Sequence, residues 1–557
     1  MSGLLFDRPN NIQIISVLNK LSSQSGGVTR VSLARAKSLA ERGFRSIIAT
    51  VEYDPLLLDS IKALRSDERL GSTVGILNFF IYFAKLSRAG VGAGALSDYF
   101  ADPEGAEFSR RSRYVGISGL RSNEYLNSEG WVFAREIVDA TGEVVSIQLD
   151  IPGRELVNFL TRDDAYIYWL DEVSSYGEFT IFIADASSRS DAVSKVTAVN
   201  ARTVLTLHGN HFARPFVFGS EVTGLSGKII SNARFCDALV VLTDAQRVDL
   251  VNQFPSLNNL AVIPNSVSKD TPPPLTRSGN TFVVVSRLES VKNIELVIRA
   301  FKIALAKNNS LCLDIWGHGS RGGHIQALID ASGMSEQVVL RGYANPVSEV
   351  FVQARASLSA SVSEGFGLSI LESMAFGCPV ISLSSNYGPV ELIKNGVNGY
   401  LVGDEQEMAE KILGLAADDV NHASMSSAGV ETADEHSPSK VADKWVSLIH
   451  KLTAPEWRAK TASGSVSIRN AASSVGGNII LTSYTKEELS IYRRLLVVRV
   501  DRSKKVGGAA CLIEPGVYNI HHLQFEDDGR VLLKFAQGAN VYKGVVPRYS
   551  VEFKLLS

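Results

Sequence analysis

Residues 361–383, SVSEGFGLSILESMAFGCPVISL, set two acidic side chains, Glu364 and Glu372, around a phenylalanine bracketed by glycines and then run into an apolar strand. A solvated loop followed by an exposed helix face is the ordinary interpretation of such a segment. Here, however, Glu364 follows a strand end, and a helix is predicted to begin near Leu368 with its free amides available to an anion. Open α/β sheets bind ligands outside the carboxyl ends of their strands, so the stretch predicts an α/β fold with a ligand site at this edge.

An alternation of apolar strands and helical segments extends outward from this stretch in two blocks. The first block opens with IQIISVL (12–18), a Gly-Gly turn, the helical pattern of 28–43 and RSIIATV (45–51), and it resumes at TIFIADA (180–186). The second block opens with TFVVVSRL (281–288). Because such alternation is typical of parallel sheets, we expect two doubly wound, Rossmann-like domains that face each other across a cleft.

Two other segments are β-rich. One contains GWVFAREIVDATGEVVSIQLDI, in which ATGE would close an antiparallel hairpin, and the other is the tail, with a DDG turn between strand-like runs. The proline-containing stretch DTPPPLTRSGN (270–280) predicts a linker. The predicted order is a first part of the N-terminal Rossmann-like domain (1–75), an inserted β-rich domain (76–179), the second part of the N-terminal domain (180–269), a C-terminal Rossmann-like domain with a closing helix (270–455), and a linker with a small C-terminal β-rich domain (456–557).

Composition excludes several classes of protein. The 557 residues carry a formal net charge of -2, which gives no bulk attraction to nucleic acid or to an anionic membrane. The four cysteines are far apart and outside metal-ligand spacings, which argues against a structural zinc site or a disulfide framework. The first residues lack a signal-sequence pattern, and the apolar run VGILNFFIYFAKL (74–86) is too short to span a membrane. We therefore expect a packed helix there and a cytoplasmic protein.

Three more loops are predicted to lie at carboxyl ends of strands. Gly26 and Gly27 would let the backbone approach a phosphate ahead of a helix, although a plain tight turn explains them equally well. His208 follows the strand TVLTL and could donate to a sugar hydroxyl or a phosphate, or be satisfied within the fold. Arg287 and Lys292 follow the first strand of the second block and could jointly neutralise a diphosphate, or form surface ion pairs.

Together these features resemble a known family. The E-x7-E spacing of Glu364 and Glu372, the basic pair Arg287 and Lys292, the Gly-Gly loop and the strand-end histidine resemble the retaining, nucleotide-sugar-dependent transferases of glycosyltransferase family 4. The resemblance implies two facing Rossmann-like domains, the GT-B fold, in which the C-terminal domain binds the nucleotide sugar.

A narrower resemblance rests on GGVTRVSLARAKSL, LHGNHF and NYGPVELIKNGVNGYLV. These segments resemble the branch that contains the wall-teichoic-acid α-glycosyltransferases, which act on poly(glycerol/ribitol-phosphate), and the accessory-Sec enzymes that glycosylate serine-rich adhesins. Relatives in this branch carry an inserted β domain at the place found here. The resemblance covers about residues 11–452, and WGHG at 316–319 departs from the more usual Gly-Asp-Gly, which leaves the role of His318 open.

The resemblance also implies roles for individual residues. Arg287 and Lys292 would hold the donor diphosphate, and Glu372 would hold the ribose. Glu364 would act on the transferred sugar, and His208 would lie near the sugar or the reaction centre. The remaining predicted donor-binding residues are Gly26, Gly27, Gly367, Leu368 and Tyr343, the last of them near the base.

The chemistry predicts activity without a metal cofactor. Breaking a glycosyl–phosphate bond leaves negative charge on the departing diphosphate, which magnesium-dependent transferases neutralise with a metal held by an Asp-x-Asp pair. Here Arg287, Lys292 and helix-end amides could do that work. For retention, the resemblance implies an oxocarbenium-like substitution on one face of the sugar.

The favoured function is transfer of a hexose or N-acetylhexosamine from a UDP-sugar to a cell-envelope polyol-phosphate polymer of the teichoic-acid type. Alternatives are UDP-GlcNAc-dependent O-glycosylation of Ser or Thr in an exported serine-rich protein, a non-catalytic glycan-binding partner subunit, and a UDP-sugar epimerase. Arginines in the insert could attract a phosphate-rich polymer or form a solvated strand edge: Arg110, Arg111, Arg113 and Arg121. Homo-oligomer or partner-subunit contacts through the insert, and peripheral contact with the inner face of the membrane, are further expectations.

Overall fold

A computed structural model describes residues 11–22, 26–88, 108–115, 119–198, 200–233, 235–255, 257–268 and 280–454, together with the backbone of seven strands between 466 and 555. These residues form four sheets, of which two are parallel and two antiparallel. The predicted linker at 270–280 lies outside the described residues except for its last position. Strands and helices are numbered below in chain order.

The first parallel sheet is built from both parts of the N-terminal block. Its strands are β1 (Ile12–Leu18), β2 (Arg45–Thr50), β3 (Gly75–Asn78), β9 (Phe179–Ala184), β10 (Ala201–Leu207), β11 (Ala238–Val241) and β12 (Leu260–Val262). Their spatial order is β12-β11-β10-β9-β1-β2-β3. All seven residues of β1 are buried, as expected for a central strand covered by helices on both faces. The helices of this domain are α1 (Gly27–Glu41), α2 (Leu57–Ser66), α5 (Ser190–Ser194), α6 (Gly224–Ala233) and α7 (Asp244–Gln253).

An antiparallel sheet interrupts this domain between β3 and β9. It is a meander of β4 (Phe108–Val115), β5 (Leu120–Asn127), β6 (Val132–Val138), β7 (Val144–Leu149) and β8 (Val157–Phe159). The helices α3 (Phe79–Leu86) and α4 (Arg162–Ser174) flank it in the chain. The β-rich insert predicted from the sequence is therefore present, and its strands occupy residues 108–159.

The apolar run at 74–86 forms β3 and α3. The Asn78 side chain caps α3 by accepting hydrogen bonds from the amides of Phe80 and Ile81, and all eight residues of the helix are buried. The ring centroids of Phe80 and of Tyr125 in the insert are 4.3 Å apart, so α3 links the insert to the first sheet. The prediction of a packed helix is confirmed for Phe79–Leu86, whereas residues 75–78 form a strand instead. None of the helices in the described ranges is long and apolar enough to cross a membrane.

The second parallel sheet contains the stretch that opened the sequence analysis. Its strands are β13 (Thr281–Val285), β14 (Cys312–Trp316), β15 (Val338–Gly342), β16 (Ala356–Ser359), β17 (Val380–Leu383) and β18 (Gly399–Val402), in the order β15-β14-β13-β16-β17-β18. The helices of this domain are α8 (Ile294–Leu305), α9 (Gly322–Ser332), α10 (Val347–Gln353), α11 (Leu368–Ala375), α12 (Gly388–Leu392), α13 (Glu405–Ala417) and α14 (Asp419–Glu435).

The closing helix α15 (Pro438–Thr453) returns to the first domain. Its apolar side chains, among them Val441, Trp445 and Ile449, join a buried cluster with β1 and β9. Two Rossmann-like sheets and a helix that crosses back confirm the predicted α/β architecture. The tail forms a seven-stranded antiparallel sheet: β19 (Val466–Ala472), β20 (Asn478–Thr485), β21 (Arg494–Val500), β22 (Val517–Phe525), β23 (Arg530–Gln537), β24 (Asn540–Pro547) and β25 (Val551–Leu555).

Candidate active site

A cavity of about 760 Å³ lies between the two parallel-sheet domains. The loops that follow β1, β10, β13, β14, β15 and β16 contribute to its walls. All ten side chains or glycines predicted for the site line it: Gly26, Gly27, His208, Arg287, Lys292, Tyr343, Glu364, Gly367, Leu368 and Glu372. The structure therefore brings the predicted residues together, whereas the role of each one stays a prediction.

The helix α11 points its first turn at the cavity. Gly367 precedes the helix with φ of 85°, a left-handed conformation that favours glycine, and no side chain caps the first amides. Glu372 lies one turn further along, and its side chain is 13% exposed. The segment thus presents uncapped amides and a nearly buried carboxylate to the same space.

Gly365 lets the two domains touch. A Cβ atom at this position would lie 2.0 Å from the backbone oxygen of His208, a distance that no side chain tolerates. The loop after β16 therefore packs directly on the loop after β10. This close contact fixes Glu364, which precedes Gly365, beside the strand-end histidine of the other domain.

Glu364 and Lys292 form an ion pair, and each side chain is mostly buried. Lys292 ends a short 3-10 helix after β13, and Asn293 follows it in a left-handed conformation before α8 begins. The ion pair that the sequence allowed for Lys292 is therefore present, but it lines the cavity, and its partner is the predicted catalytic carboxylate. A cation is thereby held next to Glu364 inside the cavity.

Arg287 is positioned by glycines that the sequence analysis did not interpret. A Cβ atom at Gly317 would lie 1.7 Å from the Ser286 oxygen, and one at Gly319 would lie 2.4 Å from the Leu288 oxygen. The loop WGHG after β14 therefore packs against the backbone on both sides of Arg287. The glycines in WGHG were the sequence signal for this contact.

His318 of the same loop lines the cavity beside Tyr343. Their rings lie parallel, with an interplanar angle of 4° and centroids 6.5 Å apart. Tyr343 is 65% exposed. The two rings present aromatic and polar surface at one end of the cavity, and this places the residue that departs from the usual Gly-Asp-Gly pattern within the site.

His208 contacts a buried carboxylate. Its Nε2 atom lies 3.1 Å from Oδ1 of Asp185, the residue that directly follows β9. Asp185 also accepts a hydrogen bond from Ser32 at 2.8 Å and forms an ion pair with Arg35. Burial alone would raise the pKa of the Asp185 carboxyl, but Arg35 and His208 outweigh burial and hold that pKa well below its usual value. His208 is therefore both a cavity residue and partly satisfied within the fold.

Sequence reasoning missed Asp185, Arg35 and Arg30. The first is a charged residue directly after the apolar strand TIFIA, a pattern that could have identified it. Arg30 lies in the first turn of α1, and its Nη1 atom donates to Glu372 Oε1 at 2.8 Å. Burial raises the pKa of Glu372, and Arg30 opposes that rise.

Comparison with known proteins agrees with this geometry. Residues 270–432 match the family described as Glycosyl transferases group 1. The fold is GT-B, and the second domain matches a glycosyltransferase family. The poly(ribitol-phosphate) alpha-N-acetylglucosaminyltransferase of Staphylococcus aureus (strain COL) is 24% identical to it over 499 residues, which are 79% of this chain and 99% of the relative. The poly(glycerol-phosphate) alpha-glucosyltransferase of Bacillus subtilis (strain 168) is 24% identical over 61% of this chain and 51% of the relative.

Three further similarities include both kinds of enzyme in the predicted branch. The GtfA subunit of the UDP-N-acetylglucosamine–peptide N-acetylglucosaminyltransferase of Streptococcus gordonii is 30% identical over 40% of this chain and 46% of the relative. Among solved structures, S. aureus TarM has a TM-score of 0.64 at 22% identity, covering 78% of this chain and 98% of TarM. Pneumococcal GtfA has a TM-score of 0.60 at 20% identity, covering 80% of this chain and 99% of GtfA. The predicted fold and branch are confirmed.

Proposed function

We propose that this glycosyltransferase moves a hexose or N-acetylhexosamine, with retention of configuration, from a UDP-sugar to a hydroxyl of a polyol-phosphate polymer. The observation that carries the proposal is the shared cavity, in which Arg287, Lys292 and the α11 amides surround one space and Glu364 and Glu372 face it. These cations and amides suit a diphosphate, and a carboxylate suits the diol of a ribose. The TarM structure of similar fold was solved with UDP and alpha-GlcNAc-glycerol.

In the proposed reaction, the bond between the sugar C1 and the diphosphate oxygen breaks, and a bond between C1 and the acceptor oxygen forms on the same face. The acceptor proton passes to the departing diphosphate. Arg287, Lys292 and the first-turn amides of α11 stabilise the negative charge that develops on the leaving group. Glu364 stabilises the positive charge on the sugar through its position rather than by taking a proton.

A second cavity, of about 720 Å³, offers room for the acceptor. It lies against the first domain at the ends of β1, β9 and β10, and it shares Val28, Thr29 and His208 with the first cavity. Its lining combines hydroxyl and amide side chains with one ammonium group and two carboxylates: Asn19, Lys20, Thr29, Glu52, Asp185, Ser187, Ser188, Thr206, Thr223 and Ser226. Lys20 pairs with Glu52 at 3.6 Å, so this surface suits the hydroxyl groups of a polyol rather than its phosphates. The residues that line both cavities connect the acceptor site to the donor site.

The insert adds positive charge away from the cavities. Arg111, Arg113 and Arg135 all contact the buried Glu124 carboxylate, at 2.7, 2.6 and 3.2 Å. Burial alone would raise the pKa of Glu124, but these three guanidinium groups hold it below its usual value, so the carboxylate stays charged. Arg110 lies instead on the opposite face, 4.9 Å over the Tyr53 ring. Three cations against one anion leave a net positive face that would attract a phosphate-rich polymer.

The proposed activity is tested by UDP release from a panel of UDP-sugars, with poly(glycerol-phosphate), poly(ribitol-phosphate) and a serine-rich peptide as acceptors. The peptide is included because of the similarity to GtfA subunits. We expect release that depends on a polyol-phosphate acceptor. Glu364→Gln should abolish transfer while UDP still binds, and an active Gln variant would remove Glu364 from the mechanism. Absence of release with every donor would leave a non-catalytic glycan-binding subunit as the better proposal.

We also propose that the transfer needs no metal ion, since the two basic side chains and the helix amides supply positive charge at the diphosphate. The test is the rate of transfer in excess EDTA compared with the rate in added Mg²⁺ or Mn²⁺. We expect equal rates. A loss of activity in EDTA that Mg²⁺ restores would contradict this proposal without affecting the assignment of the donor cavity.

A further inference from the structure

The contact between Arg30 and Glu372 joins the two domains across the donor cavity. Arg30 belongs to α1 of the first domain, and Glu372 belongs to α11 of the second, 342 residues further along the chain. The Arg30 side chain is 43% exposed and the Glu372 side chain 13% exposed. A flexible side chain of one domain therefore extends to a nearly buried carboxylate of the other.

Several features fix Arg30 in this place. Gly27, three residues earlier, packs against α11, because a Cβ atom there would lie 3.1 Å from Leu368 Cδ1. The Arg30 amide bonds to the Gly26 oxygen within the first turn of α1. The first turn of α1 is thus held close to the first turn of α11, and Arg30 reaches the carboxylate from there.

The Glu372 carboxylate needs its charge for the proposed task. A ribose diol offers two hydroxyl donors, and only the ionised carboxylate is a pure acceptor for both. Burial of Glu372 favours the protonated form, and Arg30 is the cation that opposes this effect. The other titratable side chains around the same cavity are His208, Arg287, Lys292, His318, Tyr343 and Glu364. Lys292 is already paired with Glu364.

We propose that Arg30 is a positioning residue for donor binding: it reaches from the first domain to orient the Glu372 carboxylate and keep it available to the nucleotide ribose. The inference rests on the proposed function, because it takes the cavity as a UDP-sugar site. It adds that the ribose end of the donor site is built from both domains. Donor affinity therefore depends on the approach of the two domains, and not on the second domain alone.

The test is calorimetric titration of UDP into the full chain and into Arg30→Gln, Arg30→Lys and a matched control, Arg42→Gln. Arg42 is the C-cap residue of the same helix and forms an ion pair of equal length, 2.8 Å, with Asp443 of α15, outside the cavity. We expect Arg30→Gln to weaken UDP binding about tenfold, as loss of one charge-assisted contact would. Arg30→Lys should recover part of the loss, and the control should bind like the wild type.

The pH dependence separates positioning from a general structural effect. Without Arg30, Glu372 takes up a proton more readily as the pH falls, so the defect of Arg30→Gln should grow between about pH 8 and pH 5.5 relative to the wild type. In transfer assays the KM for the UDP-sugar should rise, whereas kcat and the KM for the acceptor should change less.

Three results would overturn the inference. Unchanged UDP binding by Arg30→Gln would show that Glu372 needs no partner. Tighter UDP binding by this variant would show that Arg30 competes with the ribose. A loss of UDP affinity that is constant across pH, or that Arg42→Gln shares, would show a structural effect. In each of these cases the wild type still binds UDP, and the proposed function stands. Absence of UDP binding by the wild type would instead overturn the proposed function and the inference together.

Discussion

Asp185→Asn tests the buried network behind His208. The Asp185 side chain is fully buried and the Arg35 side chain is 4% exposed. The substitution leaves the Arg35 guanidinium buried without its counter-charge and weakens the acceptor for His208 Nε2. Removing one partner of a buried ion pair typically costs about 3–5 kcal/mol of the free energy of unfolding.

The assay is urea unfolding followed by tryptophan fluorescence. Trp445 is a suitable reporter, because the Arg35 guanidinium lies 4.8 Å from the centre of its ring. Asp443→Asn is the matched control: its carboxylate pairs with Arg42 and is 67% exposed, so its loss should cost about 1 kcal/mol or less. The double variant Arg35→Gln with Asp185→Asn should lose less than Asp185→Asn alone, because no buried charge is left unpaired.

The effect has a defined pH dependence. The pKa of Asp185 is lower in the folded chain than in the unfolded chain, where it is about 3.9. Its contribution to stability is therefore present above about pH 4 and is lost as the pH falls through the lower, folded pKa. The difference in the free energy of unfolding between the wild type and Asp185→Asn should be present above about pH 4 and disappear in stronger acid. A loss below about 1 kcal/mol at pH 7, equal to the control, would refute this account of the network.

Three other predictions concern the cavity and the insert. Gly365→Ala should lower kcat/KM by about 10²-fold, because its Cβ would force the loops after β10 and β16 apart. Gly323→Ala is the control, because the space around Gly323 is open. Equal activity of the two variants would contradict the contact between the loops. Arg287→Gln should raise the donor KM and lower the rate by about 10²–10³-fold, and an unchanged donor affinity would exclude it from the diphosphate site. The KM for a polyol-phosphate polymer should rise with salt concentration, and the double variant Arg111→Gln/Arg113→Gln should weaken that dependence. A wild-type KM that does not change with salt would exclude the insert from acceptor binding.

The sequence predicted the parts of the fold that depend on local pattern. Mostly apolar strands such as IQIISVL marked both parallel sheets, and the ATGE turn marked the insert. The cavity residues were predictable because each follows a strand of a parallel sheet, and all such ends meet at one edge. Glu364 and Glu372 are an example, since Glu364 lies in the loop before α11 and Glu372 lies one turn into that helix.

Contacts between distant parts of the chain were not predictable in this way. The pairs Arg30–Glu372 and Arg35–Asp185 join residues 342 and 150 positions apart, and no local periodicity encodes them. Lys292 shows the same limit, because its position after β13 indicated a phosphate ligand but not its ion pair with Glu364. Such pairs depend on how the two domains approach each other, which is a property of tertiary packing rather than of local sequence.

The most direct test of the central claim is a crystal structure of the protein with UDP. We expect the diphosphate within hydrogen-bond distance of Arg287, Lys292 and the first amides of α11, and the ribose hydroxyls on the Glu372 carboxylate. UDP bound at another surface, or bound in this cavity with its diphosphate away from both basic side chains, would contradict the account.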